Sequence, residues 1–159
     1  MNAKKAFLLG CGGALAIALI AGILLVAFVW HVAEDTEGIS VEVVAPDEVK
    51  VGDTFDLTII VKNERTGKNL KVDDLDLSDE YLAGFLVAET KPKHKSTTHV
   101  PIDNSQSFTF GATLKPQETN HFVFSLKAHR AGLFRGDVDV TEGLRFVSAL
   151  LQTVVKEKE

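Results

Sequence analysis

The hydrophobic rhythm of the chain changes once. From Ala6 to Ala33 there are 28 residues without Asp, Glu, Lys or Arg: 23 are apolar, four are glycine and one is His31. Beyond Ala33 apolar and polar residues alternate, as in strands that bury one face and wet the other. In Thr54 to Lys62 the residues Phe55, Leu57, Ile59 and Val61 share a face, and only Ile60 breaks the pattern. The same period groups Phe108, Phe110, Ala112 and Leu114, then Phe122, Phe124, Leu126 and Ala128, then Phe134, Gly136, Val138 and Val140. Arg135, Asp137 and Asp139 fall on the face opposite the last group.

Shorter runs at 39–45, 70–77 and 85–89 read as further strands, separated by turn signals such as Pro46-Asp47, Val51-Gly52-Asp53 and Lys115-Pro116-Gln117. The apolar parity slips by one between Val72 and Leu75, which predicts a bulge. Ser78 to Leu82 reads as one helical turn capped by Ser78. Residues 144–155 are apolar on both parities, so period leaves helix and strand open; the β-branched residues at its end favour a strand. One-sided alternation belongs to antiparallel sheets. The expected fold is all-β, a Greek-key immunoglobulin-like sandwich of about seven strands, preceded by one transmembrane α-helix.

The uncharged run would make a helix of about 42 Å at about 1.5 Å per residue, against a hydrocarbon core about 30 Å thick. A cleaved signal would carry about 7 to 15 apolar residues and a small-x-small end, whereas this run closes with His31 and Ala33. An uncleaved anchor at 6–33 is therefore expected, between a cytoplasmic stretch 1–5, a linker 34–38 and an extracytoplasmic domain 39–159. Lys4 and Lys5 before the span and Glu34, Asp35 and Glu37 after it set that orientation in a plasma membrane. Leu8-Leu9-Gly10-Cys11 resembles a lipoprotein box, but only five residues separate Lys5 from Cys11, so a membrane-buried thiol is the simpler reading beside lipidation. Gly10, Ala14, Ala18 and Gly22 recur every fourth position and form the expected helix-packing face, with common small-residue usage as the alternative.

Val49-Lys50-Val51-Gly52-Asp53-Thr54-Phe55, with alternation onward to Asn63, resembles the second-strand signature of immunoglobulin-like modules in bacterial and archaeal surface proteins, the cell-adhesion-related type. Leu114-Lys115-Pro116-Gln117-Glu118-Thr119 with Phe122 and Phe124, then Ala131-Gly132-Leu133-Phe134-Arg135-Gly136, is similar to their later strands. The resemblance covers 38–155. It departs at Gln117, where such modules commonly carry glycine, and in lacking paired cysteines. It implies a module that binds or spaces, without catalysis.

Composition narrows the chemistry. The chain has 159 residues, 45% hydrophobic and 25% charged, with a net charge of -5. All 22 acidic residues and 15 of the 17 basic ones follow Ala33, so the outward domain carries about -7, which disfavours nucleic acid and anionic lipid as ligands. The only cysteine, Cys11, lies in the span and the only methionine is Met1, so a blue-copper centre, a thiol nucleophile and a disulfide framework are excluded. Asp74-x-Asp76-x-Ser78 opens like a calcium loop, but Asp79 replaces the turn glycine and Phe85 the bidentate glutamate. Asp74, Asp76 and Ser78 are the calcium candidates, beside the plainer reading of a solvated strand end.

His94 and His99 belong to a Lys- and Thr-rich stretch, residues 91–99, that reads as a solvated loop, and His121 and His129 stand about 26 Å apart along one strand. No cofactor or metal is expected. Ser40 is the one serine placed for a Ser-Lys peptidase arrangement, without a lysine motif after it, so no enzyme is expected. The expected role is an accessory or structural subunit of a membrane complex, whose partners are the lipid bilayer and another membrane protein. The alternatives are a surface module for an extracytoplasmic ligand and, last, a membrane-anchored hydrolase.

Overall fold

The computed structural model describes residues 38–158. Its elements are β1 (Ile39–Val44), β2 (Glu48–Lys50), β3 (Thr54–Asn63), β4 (Leu70–Ser78), α1 (Asp79–Leu82), β5 (Phe85–Lys91), β6 (Ser96–Val100), β7 (Ser105–Leu114), β8 (Thr119–Ala128), β9 (Gly132–Glu142) and β10 (Arg145–Lys156). Among the described residues no helix is long and apolar enough to cross a membrane. The expected span at 6–33, its small-residue stripe at Gly10, Ala14, Ala18 and Gly22, and Cys11 all lie outside the described residues.

Two sheets form, β1-β3-β8-β5 and β2-β10-β9-β4-β7-β6. Their pairings are antiparallel except for β2 against β10, which is parallel. Every connection crosses from one sheet to the other except the hairpins β6–β7 and β9–β10. Each strand therefore turns one face to the opposite sheet, and the alternating residues fill the space between. Leu57, Ile59, Val61, Phe122, Phe124, Leu126 and Ala128 are fully buried there, as their period predicts.

This is an immunoglobulin-like sandwich with one change of route. The small sheet has the spatial order A-B-E-D, and β10-β9-β4 matches G-F-C. β7 and β6 occupy the places that C′ and C″ hold in variable-type domains, but they come after β5 in the chain instead of before it.

Aromatic rings hold the two ends of the core. At one end Phe108 and Phe124 meet edge-on at 5.0 Å and Phe110 and Phe122 at 4.9 Å. At the other, Phe85 contacts Tyr81 at 4.9 Å, Phe134 at 5.3 Å and Phe55 at 5.3 Å, arrangements that suit ring quadrupoles. Tyr81 reaches that position from α1, and its hydroxyl lies 3.1 Å from Thr153 Oγ1 on β10. The turn fits because β9 carries Gly136 beneath it: a Cβ there would strike the Ser78 side chain and come within 3.0 Å of Tyr81 Cβ.

The parity slip in β4 is a real register shift, between Val72 and Asp74. Residues 145–156 form a strand. Three expectations change. The helical turn forms, but Ser78 makes no side-chain cap; its Oγ instead accepts the Asp137 backbone N–H at 3.2 Å, so β9 has taken the capping oxygen. The basic stretch before Pro101 is not all loop, since Ser96–Val100 pairs with β7 as an edge strand. His94 is partly buried: its ring stands edge-on to Phe108 at 5.4 Å, with Nδ1 2.8 Å from Thr90 Oγ1.

Asn63 joins the loops at one end of the sandwich. It is fully buried, and its Nδ2 lies 2.9, 3.1 and 3.0 Å from the carbonyls of Lys68, Leu114 and Lys115, while Oδ1 accepts the Arg65 N–H. The neighbouring Gln117 has φ +64° and donates its side-chain amide to Glu64 O at 2.7 Å. A left-handed backbone of this kind suits glycine best; at Gln117 the amide contact offsets the strain.

Candidate functional site

The outer face of the six-stranded sheet is built from the residues that the alternation leaves pointing away from the core. Backbone pairing lines them up in rows across the strands. One row runs Thr98 on β6, Ser107 on β7, Asp76 on β4, Asp139 on β9 and Ser148 on β10, each directly opposite the next. Two aspartates therefore face each other, with Cβ atoms of such a pair about 4.5–5.5 Å apart, an arrangement that repels when both are charged.

The environment adds to the cost of that charge. Burial pushes the Asp76 carboxyl above its ordinary 3.8, reinforced by Asp74, Asp139 and Asp103 and opposed by a hydrogen bond with Ser107. Asp76 Oδ1 is buried without a hydrogen-bond partner. Burial likewise raises Asp139, with Asp137 and Asp103 adding and the Ser148 hydroxyl, which donates to Oδ1, opposing. Asp103 acts on both from the β6–β7 turn, which brings it over the row.

Beside this row the sheet opens into a cleft of about 470 Å³ between α1, the β6–β7 turn and the outer face of β9–β10. Glu80, Asp103 and Asp137 line it with Leu150 and Arg135, whose Nε donates to Gln152 Oε1 at 2.9 Å. Leu150 is 87% exposed, and Leu144 and Phe146 on the same hairpin are 73% and 59% exposed. The hairpin is fixed at its turn by Arg65, whose guanidinium grips Glu142 through two contacts of 3.0 and 2.7 Å. Burial works against the Glu142 charge, but the Arg65 hydrogen bond and the Lys71 N–H bring its carboxyl below the ordinary 4.5.

The calcium candidates Asp74, Asp76 and Ser78 share this outer face. They lie on an extended strand, where residues two apart are about 6.6 Å distant, instead of in a loop that wraps a cation. Asp74 faces Thr109, Asp76 faces Ser107 and Ser78 faces Ser105. Among the described residues no three His, Cys, Asp or Glu side chains converge as metal ligands. His99 Nδ1 lies 3.5 Å from Asp79 Oδ2; His121 and His129 are exposed. Ser40 faces Lys62 across β1–β3, and the Lys62 ammonium lies 3.4 Å from Glu64 Oε1.

Asp103, Asp139, Ser107 and Ser148 were not singled out by sequence reasoning. The outward position of Asp137 and Asp139 is visible in the alternation, but their meeting with Asp76 depends on β4–β9 pairing between residues about sixty positions apart.

The architecture defines a two-sheet immunoglobulin-like β-sandwich. No family model and no curated protein matches the chain. Among solved structures it is similar in fold to Escherichia coli alpha-2-macroglobulin in its native conformation, at TM-score 0.50 and 16% identity, over 76% of this chain and only 7% of that much longer one. It also aligns with the CARDB domain of PF1109 from Pyrococcus furiosus, at TM-score 0.48 and 16% identity over 76% of this chain and 94% of that one. The human F-spondin reeler domain aligns at TM-score 0.42 and 12% identity, over 79% and 97% of the two chains.

Proposed function

We propose that this chain is a non-catalytic binding module of a membrane surface: residues 6–33 hold it in the bilayer with a cytoplasmic N-terminus, and the sandwich engages a second protein as an accessory subunit. The observation that carries this reading is the outer face of β9–β10, where Leu144, Phe146 and Leu150 stand largely exposed beside the paired aspartates. A face needed only for solubility has no use for three large apolar side chains in one hairpin. A short linker at 34–38 keeps the domain near the bilayer, within reach of a membrane partner.

The second reading, a surface module for an envelope or extracellular ligand, is supported by the resemblance over 38–155 to adhesion-related modules. Hydrolysis is disfavoured because the lysine facing Ser40 is solvent-exposed and paired with Glu64. The test is to solubilise the full chain from its membrane and measure its native size, with oxidative footprinting of the resulting species. A stoichiometric assembly in which Phe146 and Leu150 are protected supports the subunit reading; a lone monomer with both residues labelled removes it.

A further inference from the structure

Resting on the reading of this face as the binding surface, we infer that the cleft beside Leu150 receives a basic segment of a partner polypeptide, a lysine or arginine next to an apolar side chain. Charge and shape together select this occupant. The cleft is lined by the three carboxylates of Glu80, Asp103 and Asp137 against one cation, Arg135, so it stays acidic at a formal -3 + 1 = -2, and the Arg135 side chain is tied to Gln152 at the strand surface. Leu150 forms one wall at 87% exposure and faces Asp137 directly across β9–β10, so apolar and acidic contacts lie one strand apart. A long basic side chain has that same composition, an apolar stem with a cationic head.

The adjoining row makes a cation favourable for a second reason. Asp76 and Asp139 oppose each other, with Asp74, Asp103 and Asp137 nearby, and neither finds a cationic side chain in the domain among the groups acting on it. Anionic lipid and nucleic acid are repelled by the same field. An acidic rim also speeds encounter with a basic partner, an effect that salt removes.

The test uses the full chain in detergent micelles and three fluorescent pentapeptides, Lys-Leu-Lys-Leu-Lys, Lys-Gly-Lys-Gly-Lys and Glu-Leu-Glu-Leu-Glu, with binding followed by anisotropy. The lysine-leucine peptide binds, the acidic peptide does not, and the lysine-glycine peptide binds about fivefold more weakly. Raising salt from about 50 to about 500 mM weakens the first by roughly tenfold. Glu80→Gln with Asp137→Asn weakens both lysine peptides, while Leu150→Ser weakens only the leucine-containing one. All these positions are exposed, so folding is unaffected; circular dichroism of each variant verifies it. Equal binding of the acidic peptide, insensitivity to the two acid substitutions, or no binding overturns the inference. If footprinting of the native assembly still protects Phe146 and Leu150, the binding-face reading survives that failure; if it does not, both fall.

Discussion

The two outer faces of the sandwich obey different rules. On the small sheet the outward charges of the central ladders meet neutral partners: Asp56 faces Ser125, Lys62 faces Ser40 and Thr119, Lys127 faces Thr54 and Leu86, and Glu42 faces Ile60. On the large sheet Asp76 meets Asp139, and Phe146 and Leu150 of β10 stand in solvent. The first sets its charges against neutral neighbours, and its exposed apolar side chains, Leu86 and Val44, stand apart on opposite edge strands. The second gives up some stability, and departures of that kind concentrate where a surface has another task.

The strongest way to break this contrast is to remove the layer that both faces share. Phe124→Ala, which opens a cavity between the sheets, should cost about 3–5 kcal/mol, read as a large fall in denaturation midpoint. A loss below 1 kcal/mol would mean that the sheets do not rest on a common core. Asn63→Ala comes next, at about 1–3 kcal/mol, because the buried carbonyl of Leu114 and the partly buried one of Lys115 lose their donor. The small sheet would thus be shown to keep its costly polar contacts inside, at the loop end, and not on its outer face.

The aspartates give the direct comparison. Asp76→Asn should stabilise the domain by about 1 kcal/mol at pH 7 by removing an opposed like charge, whereas Asp56→Asn, facing the neutral Ser125, should change it by less than about 0.5 kcal/mol. Equal effects in urea titrations would erase the distinction between the faces.

Acid titration sharpens it further. Asp76 and Asp139 hold protons in the folded state at pH values where the unfolded chain has lost them. Their penalty is absent below their ordinary 3.8, grows as pH rises through the raised folded values and is complete above them. Glu142 and Asp73 behave oppositely: their contribution is present above their ordinary values and is lost as pH falls through the lowered ones. The Asp76→Asn, Asp139→Asn double variant should therefore outlast the parent at pH 7, and the advantage should shrink as pH drops toward 3. An advantage that grows in acid contradicts the assignment.

Local signals carried the core. The period-two pattern named Phe122, Phe124, Leu126 and Ala128 because the direction of a side chain in a strand depends only on its neighbours. The parity slip after Val72 located the β4 bulge for the same reason. β6 escaped notice because Ser-Thr-Thr-His has no apolar side to alternate, and β2 because three residues are too few to show a period. The acidic row was half visible: each aspartate points outward by period, but which one faces which is decided by the register of strands distant in sequence. Ser78 shows the same limit, since a plausible cap lost its oxygen to a backbone amide brought in from β9.

β10 lies between β9 and β2, the one parallel neighbour in the domain, and buries Leu151, Thr153 and Val155. During synthesis β2 is made about a hundred residues before its partner. Until residues 145–156 leave the ribosome, β9 presents an open edge and the inter-sheet layer lacks a wall, so closure is a late, long-range event. An arrested or truncated chain would expose that edge to other strands. The stretch that supplies the exposed Leu150 is thus also the one on which escape from aggregation depends.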